Sequence, residues 1–187
     1  EPEYVRINPR CVVPTLVCNG KVITDSLNIL HYVVSKLSNL DTSQKPSVHE
    51  FEAIAFWLDK ADSLPIEALT YGDNRGKNKP FYLKGAANGG KGHEFKANLL
   101  RKLVKRHENE KLLHDAYKSK LNIVENTLTI IQTPTRLNAL YDTADSILIE
   151  LETQLLSGPF NAKGWLASNK FSLADIVWGV VLYRLEK

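Results

Sequence analysis

Pro9-Arg-Cys-Val-Val-Pro-Thr-Leu-Val-Cys-Asn-Gly-Lys-Val-Ile-Thr-Asp-Ser-Leu-Asn-Ile29 is the stretch from which the fold is read. Val12–Val17 and Lys21–Thr24 are rich in β-branched residues, and Asn19-Gly20 between them suits a type I′ turn. An antiparallel hairpin is therefore expected. Asp25-Ser26 then opens an amphipathic pattern over Ser26–Leu37, with Leu27, Leu30, Val33 or Val34, and Leu37 on one face. That spacing predicts a helix leaving the hairpin directly.

Two positions in this stretch carry chemistry. Pro14 lies inside a β-run, where it has no N–H to donate to a ladder. If Val13–Pro14 is cis, the Val13 backbone turns outward and offers its N–H and C=O to an extended peptide. If it is trans, Pro14 is an ordinary edge-strand proline. Asp25-Ser26 has two readings as well. It is either a plain helix N-cap, or a site where Ser26 and the positive helix end receive a carboxylate while Asp25 accepts from an ammonium. Both positions lie one hairpin apart, within reach of a single ligand about three residues long.

Outward from this stretch, the remainder reads as helix. Phe51, Ile54, Ala55, Leu58 and Ala61 recur at helical spacing until Pro65 kinks or restarts the helix. Tyr71–Gly92 holds six of the ten glycines and reads as a loop. A polar helical stretch follows from about Glu94 to Ile131. After the Thr133-Pro134-Thr135 break, Leu137, Leu140, Ala144, Ile147, Leu148, Leu151 and Leu155 form an apolar stripe ending at Gly158-Pro159. Ser172 and Asp175 form a variant capping box. The helix they open is apolar on nearly every side, so it is expected at the centre of a helical domain. Residues 1–39, a polar linker over 40–48, and residues 49–187 are the expected domain divisions. Their class is α+β: a truncated β-hairpin-plus-helix domain, then an all-α one.

Composition narrows the function. The chain has 187 residues, 43% of them hydrophobic, and a net charge of +3. Acidic and basic residues are interspersed, which argues against nucleic acid as a partner. Lys96, Arg101, Lys102, Lys105 and Arg106 read as a solvated helix face, with an anion-binding patch as the alternative. Cys11 and Cys18 flank the first strand, about 23 Å apart if extended, too far for a disulfide. Cys11 has no activating histidine nearby in sequence and reads as an unreactive thiol. No signal peptide and no membrane-length apolar run is seen, so a reducing cytoplasmic setting is expected. Gly85–Gly92 nearly matches a phosphate loop, but Gly92 stands where Ser or Thr would hold Mg²⁺. The five histidines show no paired metal spacing. With no Met and no C-cap at Lys187, the chain reads as a piece of a longer one.

Val13-Pro14-Thr15-Leu16-Val17, Val22-Ile23-Thr24-Asp25-Ser26 and Phe171-Ser172-Leu173-Ala174-Asp175-Ile176 resemble the cytosolic glutathione transferases. Glu1–Asn8, Val12–Val17 and Ser172–Trp178 are similar to the branch of reductive dehalogenases acting on tetrachlorohydroquinone. Asp62–Gly72 is also similar to ganglioside-induced differentiation-associated protein 1, a relative of the transferases. The resemblance implies a thioredoxin-like N-terminal domain followed by an all-helical domain, and a homodimer. It implies glutathione as co-substrate, with Val13 before a cis Pro14 pairing its cysteinyl backbone and Asp25 and Ser26 holding its γ-glutamyl end. Ser172 and Asp175 would play the family's structural role in folding.

The implied activity is that of a glutathione-dependent transferase or reductive dehalogenase acting on small electrophilic, aromatic compounds. The acceptor is expected against the helix over Phe51–Leu69. The catalytic Ser, Tyr or Cys is expected upstream of Glu1, so no residue here takes that role. A non-catalytic binding or membrane-morphology module is the alternative.

Overall fold

The computed structural model describes residues 2–37, 47–72, 90–160, 162 and 164–186. In chain order the elements are α1 (Pro2–Ile7), β1 (Thr15–Cys18), β2 (Lys21–Thr24) and α2 (Ser26–Leu37), then α3 (Val48–Asp62) and α4 (Ile66–Gly72). They continue with α5 (Lys91–Arg106), α6 (Lys111–Gln132), α7 (Pro134–Ser157) and α8 (Leu173–Leu185). The expected α+β order, a hairpin with its helix and then helices, is what forms. Most of the expected linker and of the glycine-rich loop, including Gly85–Asn88, lies outside the described residues. Two compact units are distinguished, one from Glu1–Lys45 with His93–Asn126 and the other from Pro46–Gly92 with Thr127–Lys187.

In the first unit, β1 and β2 pair antiparallel with Thr15 opposite Thr24 and Cys18 opposite Lys21. Asn19 and Gly20 have φ of +50° and +76°, the pair of positive values that a type I′ turn requires. The strand is shorter than Val12–Val17, because Pro14 cannot donate and the ladder starts only at Thr15. α2 packs on both strands.

The sequence pattern gave no helix before the hairpin, yet α1 forms there. Pro2 suits the start of a helix, but six residues do not hold a helix in water. Packing holds it: Val5 is 1% exposed and joins Ala97 and Leu100 of α5 with Leu113, Ala116, Tyr117 and Val124 of α6. α5 and α6 are the polar helical stretch, interrupted at His107–Glu110, and Arg101 ties them with a 2.6 Å ion pair to Glu125.

The second unit is helical among the described residues. Its core joins Trp57, Ala61, Leu69, Ala144, Ile147, Leu151, Trp178 and Val181. The α7 stripe faces it as the spacing predicts. Trp178 Nε1–H donates to the Trp57 carbonyl at 2.8 Å, and the two rings meet edge to face at 6.0 Å. Two expectations are corrected. Phe51 is exposed, and Trp57 takes a core place in α3 instead. α8 is not buried all round, since Val180 and Tyr183 face solvent while Trp178 and Val181 are buried.

Asp175 does more than close a capping box. Its Oδ2 accepts from the Ser172 N–H at 2.8 Å and the Ser172 hydroxyl at 2.7 Å, and its Oδ1 accepts from the Leu166 N–H at 2.9 Å. One carboxylate thus fixes both the start of α8 and the loop before it.

Candidate functional site

The loop Asn8–Pro14 is clamped from beneath by α1. Tyr4 and Asn8 are four residues apart and share a helix face. The Tyr4 hydroxyl donates to the Val12 carbonyl and shares a 2.8 Å hydrogen bond with Thr15 Oγ1. Asn8 is fully buried, and its Nδ2 donates to the Val12 carbonyl at 2.7 Å and to Thr15 Oγ1 at 2.9 Å. Its Oδ1 accepts from the Arg10 N–H at 3.0 Å. The buried amide is therefore satisfied on both ends, as burial demands.

This clamp turns the Val12 carbonyl inward, and the next residue points out. Val13–Pro14 is cis. The Val13 side chain is 81% exposed. Among the described residues no hydrogen bond engages its backbone N–H or C=O. Of the two readings left open by the sequence, the structure has the one that presents a free backbone edge.

The register brings the second position alongside. Thr15 faces Thr24 at the end of the ladder, so Pro14 and Val13 leave that end on one strand as Asp25 and Ser26 leave it on the other. Asp25 has φ +80°. Its Oδ1 accepts from the Leu27 N–H at 3.0 Å and its carbonyl from the Ile29 N–H at 3.0 Å. Asp25 is thus the N-cap of α2, and Ser26 is the first helical residue. The Ser26 side chain is exposed, with no hydrogen-bond partner among the described residues. Arg10 reaches to 4.0 Å from Asp25 Oδ2, an exposed pair of small energetic weight.

Together these groups offer a β-like backbone edge, a free hydroxyl and the positive end of a twelve-residue helix on one side of a hairpin. That suits a short peptide with a carboxylate at one end. Val13, Pro14, Asp25 and Ser26 are brought to one place, and Tyr4 and Asn8 are the positioning residues that sequence reading left without a role. The signal available was their i,i+4 spacing just ahead of Pro9.

Cys11 is a poor nucleophile here. Its thiol is half-buried with φ +53°, and burial pushes its pKa up, opposed by the charge of Lys120. Among the described residues no group of three or more His, Cys, Asp and Glu is placed to hold a metal ion, and no helix is long and apolar enough to cross a membrane.

Residues 1–36 match the family model described as glutathione S-transferase, N-terminal domain. The chain is 30% identical over 186 residues to a tetrachloro-p-hydroquinone reductive dehalogenase of Sphingobium chlorophenolicum, covering all of this chain and 66% of that one. It is 29% identical over 178 residues to a 2,5-dichlorohydroquinone reductive dechlorinase of Sphingobium indicum, covering 92% of this chain and 49% of the relative. A 47-residue stretch of the chain is 47% identical to glutathione S-transferase D7 of Drosophila melanogaster, covering 25% of this chain and 21% of the relative. The chain thus spans about half to two thirds of the length of the curated dehalogenases it matches. No solved structure matches it.

Proposed function

We propose that this chain, which belongs to the glutathione transferase superfamily, binds glutathione along Val13 and Ser26. In that reading it serves a glutathione-dependent reductive dehalogenation or transfer on small halogenated aromatic electrophiles. The observation that carries the reading is the outward, unengaged Val13 backbone beside the free Ser26 hydroxyl, at one end of one hairpin. The Val13 N–H and C=O pair with the cysteinyl backbone of glutathione. The Ser26 N–H and hydroxyl receive the γ-glutamyl carboxylate, helped by the α2 dipole. Asp25 Oδ2 faces the ammonium of the same residue, while Oδ1 stays on the Leu27 N–H.

The chemistry is thiolate chemistry: a glutathione sulfur whose pKa is lowered by positioned donors attacks the electrophile. We assign no described residue of the chain the role of meeting that sulfur. The raised pKa of Cys11 supports leaving it out of that role. The chlorinated hydroquinones named for the relatives set the substrate class. The protein acts in the cytoplasm as a homodimer, as the family resemblance implies.

Retention on immobilised glutathione tests the binding step. The chain should be retained and released by free glutathione. Ser26→Ala removes one hydrogen bond to a charged group, a loss of about 1.5–3 kcal/mol, or roughly 10- to 100-fold in affinity. A chain that is not retained, or an alanine variant retained as well as the parent, refutes the assignment and favours a non-catalytic module.

A further inference from the structure

The positive charge of this chain is gathered on α5. Over residues 93–106, Lys96, Arg101, Lys102, Lys105 and Arg106 stand against Glu94 alone, an excess larger than the whole chain's net charge of +3. The rest of the chain is therefore net negative.

Helix periodicity gives α5 two apolar faces. Ala97 and Leu100 turn to the core and pack with Val5. Phe95 and Leu99 leave on the nearly opposite side and are 74% and 48% exposed. Lys102 and Arg106 are exposed and share an arc of about 60° with these two. Lys96 and Leu103, both half-buried, border that arc, and Glu94 lies outside it. Arg101 is taken by Glu125 at 2.6 Å and by Asn98 at 2.8 Å. Among the described residues Lys96, Lys102 and Arg106 make no ion pair. A single exposed leucine is ordinary. A phenylalanine and a leucine one turn apart, bracketed by unpaired cations, form the pattern of a helix that lies on an anionic bilayer.

We infer that the outer face of α5 docks on an anionic phospholipid surface. Phe95 and Leu99 enter the boundary between headgroups and acyl chains. Lys96, Lys102 and Arg106 reach the lipid phosphates, with their stems along the apolar side. Charge complementarity selects this partner. A second copy of the chain, meeting the same face about a two-fold axis, would set cations against cations. A protein groove that takes an amphipathic helix reads anchors at i, i+4 and i+7, and the i+7 position from Phe95 holds Lys102. A bilayer needs no matching groove, so the convex face of one helix is enough. The contact is peripheral, since no described helix is long and apolar enough to cross a membrane. It draws on none of the residues assigned to glutathione and is independent of that reading.

Co-sedimentation with sucrose-loaded vesicles tests it, comparing equal parts phosphatidylcholine and phosphatidylglycerol with phosphatidylcholine alone. The chain should partition onto the anionic vesicles roughly tenfold or more strongly, and lose that preference at high salt. Lys102→Gln with Arg106→Gln, and separately Phe95→Ser with Leu99→Ser, should each weaken partitioning roughly tenfold or more. Both pairs should keep the parent's far-ultraviolet circular dichroism and its behaviour on immobilised glutathione. Phe95→Trp reads insertion directly: relative to the parent, its emission should shift to the blue on anionic vesicles and not on phosphatidylcholine. Equal partitioning onto both kinds of vesicle, or onto neither, overturns the inference. So does binding that the glutamine pair weakens while the serine pair and the Phe95→Trp emission leave it unmoved, which would make this face a purely ionic seat for an acidic macromolecule.

Discussion

Asp175→Ala removes three hydrogen bonds at once, and the structure sets their separate weights. The Ser172 N–H and hydroxyl are half-buried at the mouth of α8, so water replaces part of what they lose. Loss of such a cap costs about 0.5–2 kcal/mol. The Leu166 N–H belongs to a residue that is 2% exposed. Its donor would be left without a partner in the interior, at about 1–3 kcal/mol.

The three bonds share one acceptor, so the terms are not independent, and about 3 kcal/mol is expected in total. That is a large share of the 5–15 kcal/mol that holds a typical domain. Urea unfolding followed by tryptophan fluorescence is the assay. Trp57, Trp165 and Trp178 all lie in the second unit, so the signal reports the part that Asp175 fixes. The midpoint should fall with an unchanged slope, and the melting temperature should drop by roughly 10 °C. Asp175→Asn keeps one acceptor and should lose less. A change below about 1 kcal/mol for Asp175→Ala would refute the idea that this carboxylate organises the α7–α8 connection.

Two further outcomes follow from charge and burial. The Asn169 N–H at 2.9 Å, and then the Ser47 N–H at 2.8 Å, hold the Glu50 carboxyl below its usual pKa of 4.5. A depressed folded pKa gives stability that is present above the unfolded value and lost as pH falls through the folded one. The stability difference between the parent and Glu50→Gln should therefore be constant near neutrality and shrink below about pH 4.5. Melting curves from pH 7 to 3 measure it, and an increment below about 1 kcal/mol is expected for so exposed a group. For Cys11, burial raises the pKa above 9.0, so its alkylation by iodoacetamide should be slow at pH 7 and reach half its maximal rate only above pH 9. Peptide mass spectrometry reads this directly, and fast modification at pH 7 would mean the thiol is activated after all.

The sequence by itself determined what is local. Asn19-Gly20 has the two positive φ values its turn demands, Ser26–Leu37 is a helix to the residue, and the Ser172–Asp175 contact is present, because each depends on neighbours a few residues away. The four positions Val13, Pro14, Asp25 and Ser26 were legible for the same reason, since a two-residue turn and a fixed register bring them to one end of a hairpin. What only the tertiary structure decided involves distant partners. α1 exists because Val5 finds a core supplied by residues about 90 to 120 positions later. Tyr4 and Asn8 become clamps only once the loop folds over them.

The cis bond at Val13–Pro14 was undecided in sequence, since a single proline is compatible with either isomer. Which apolar residues face inward was likewise settled by packing. Phe51 and Val180 are exposed, while Trp57 and Trp178 meet each other across 121 residues. Hydrophobicity says that a side chain gains by burial, but only the assembled helices say which face has something to bury against.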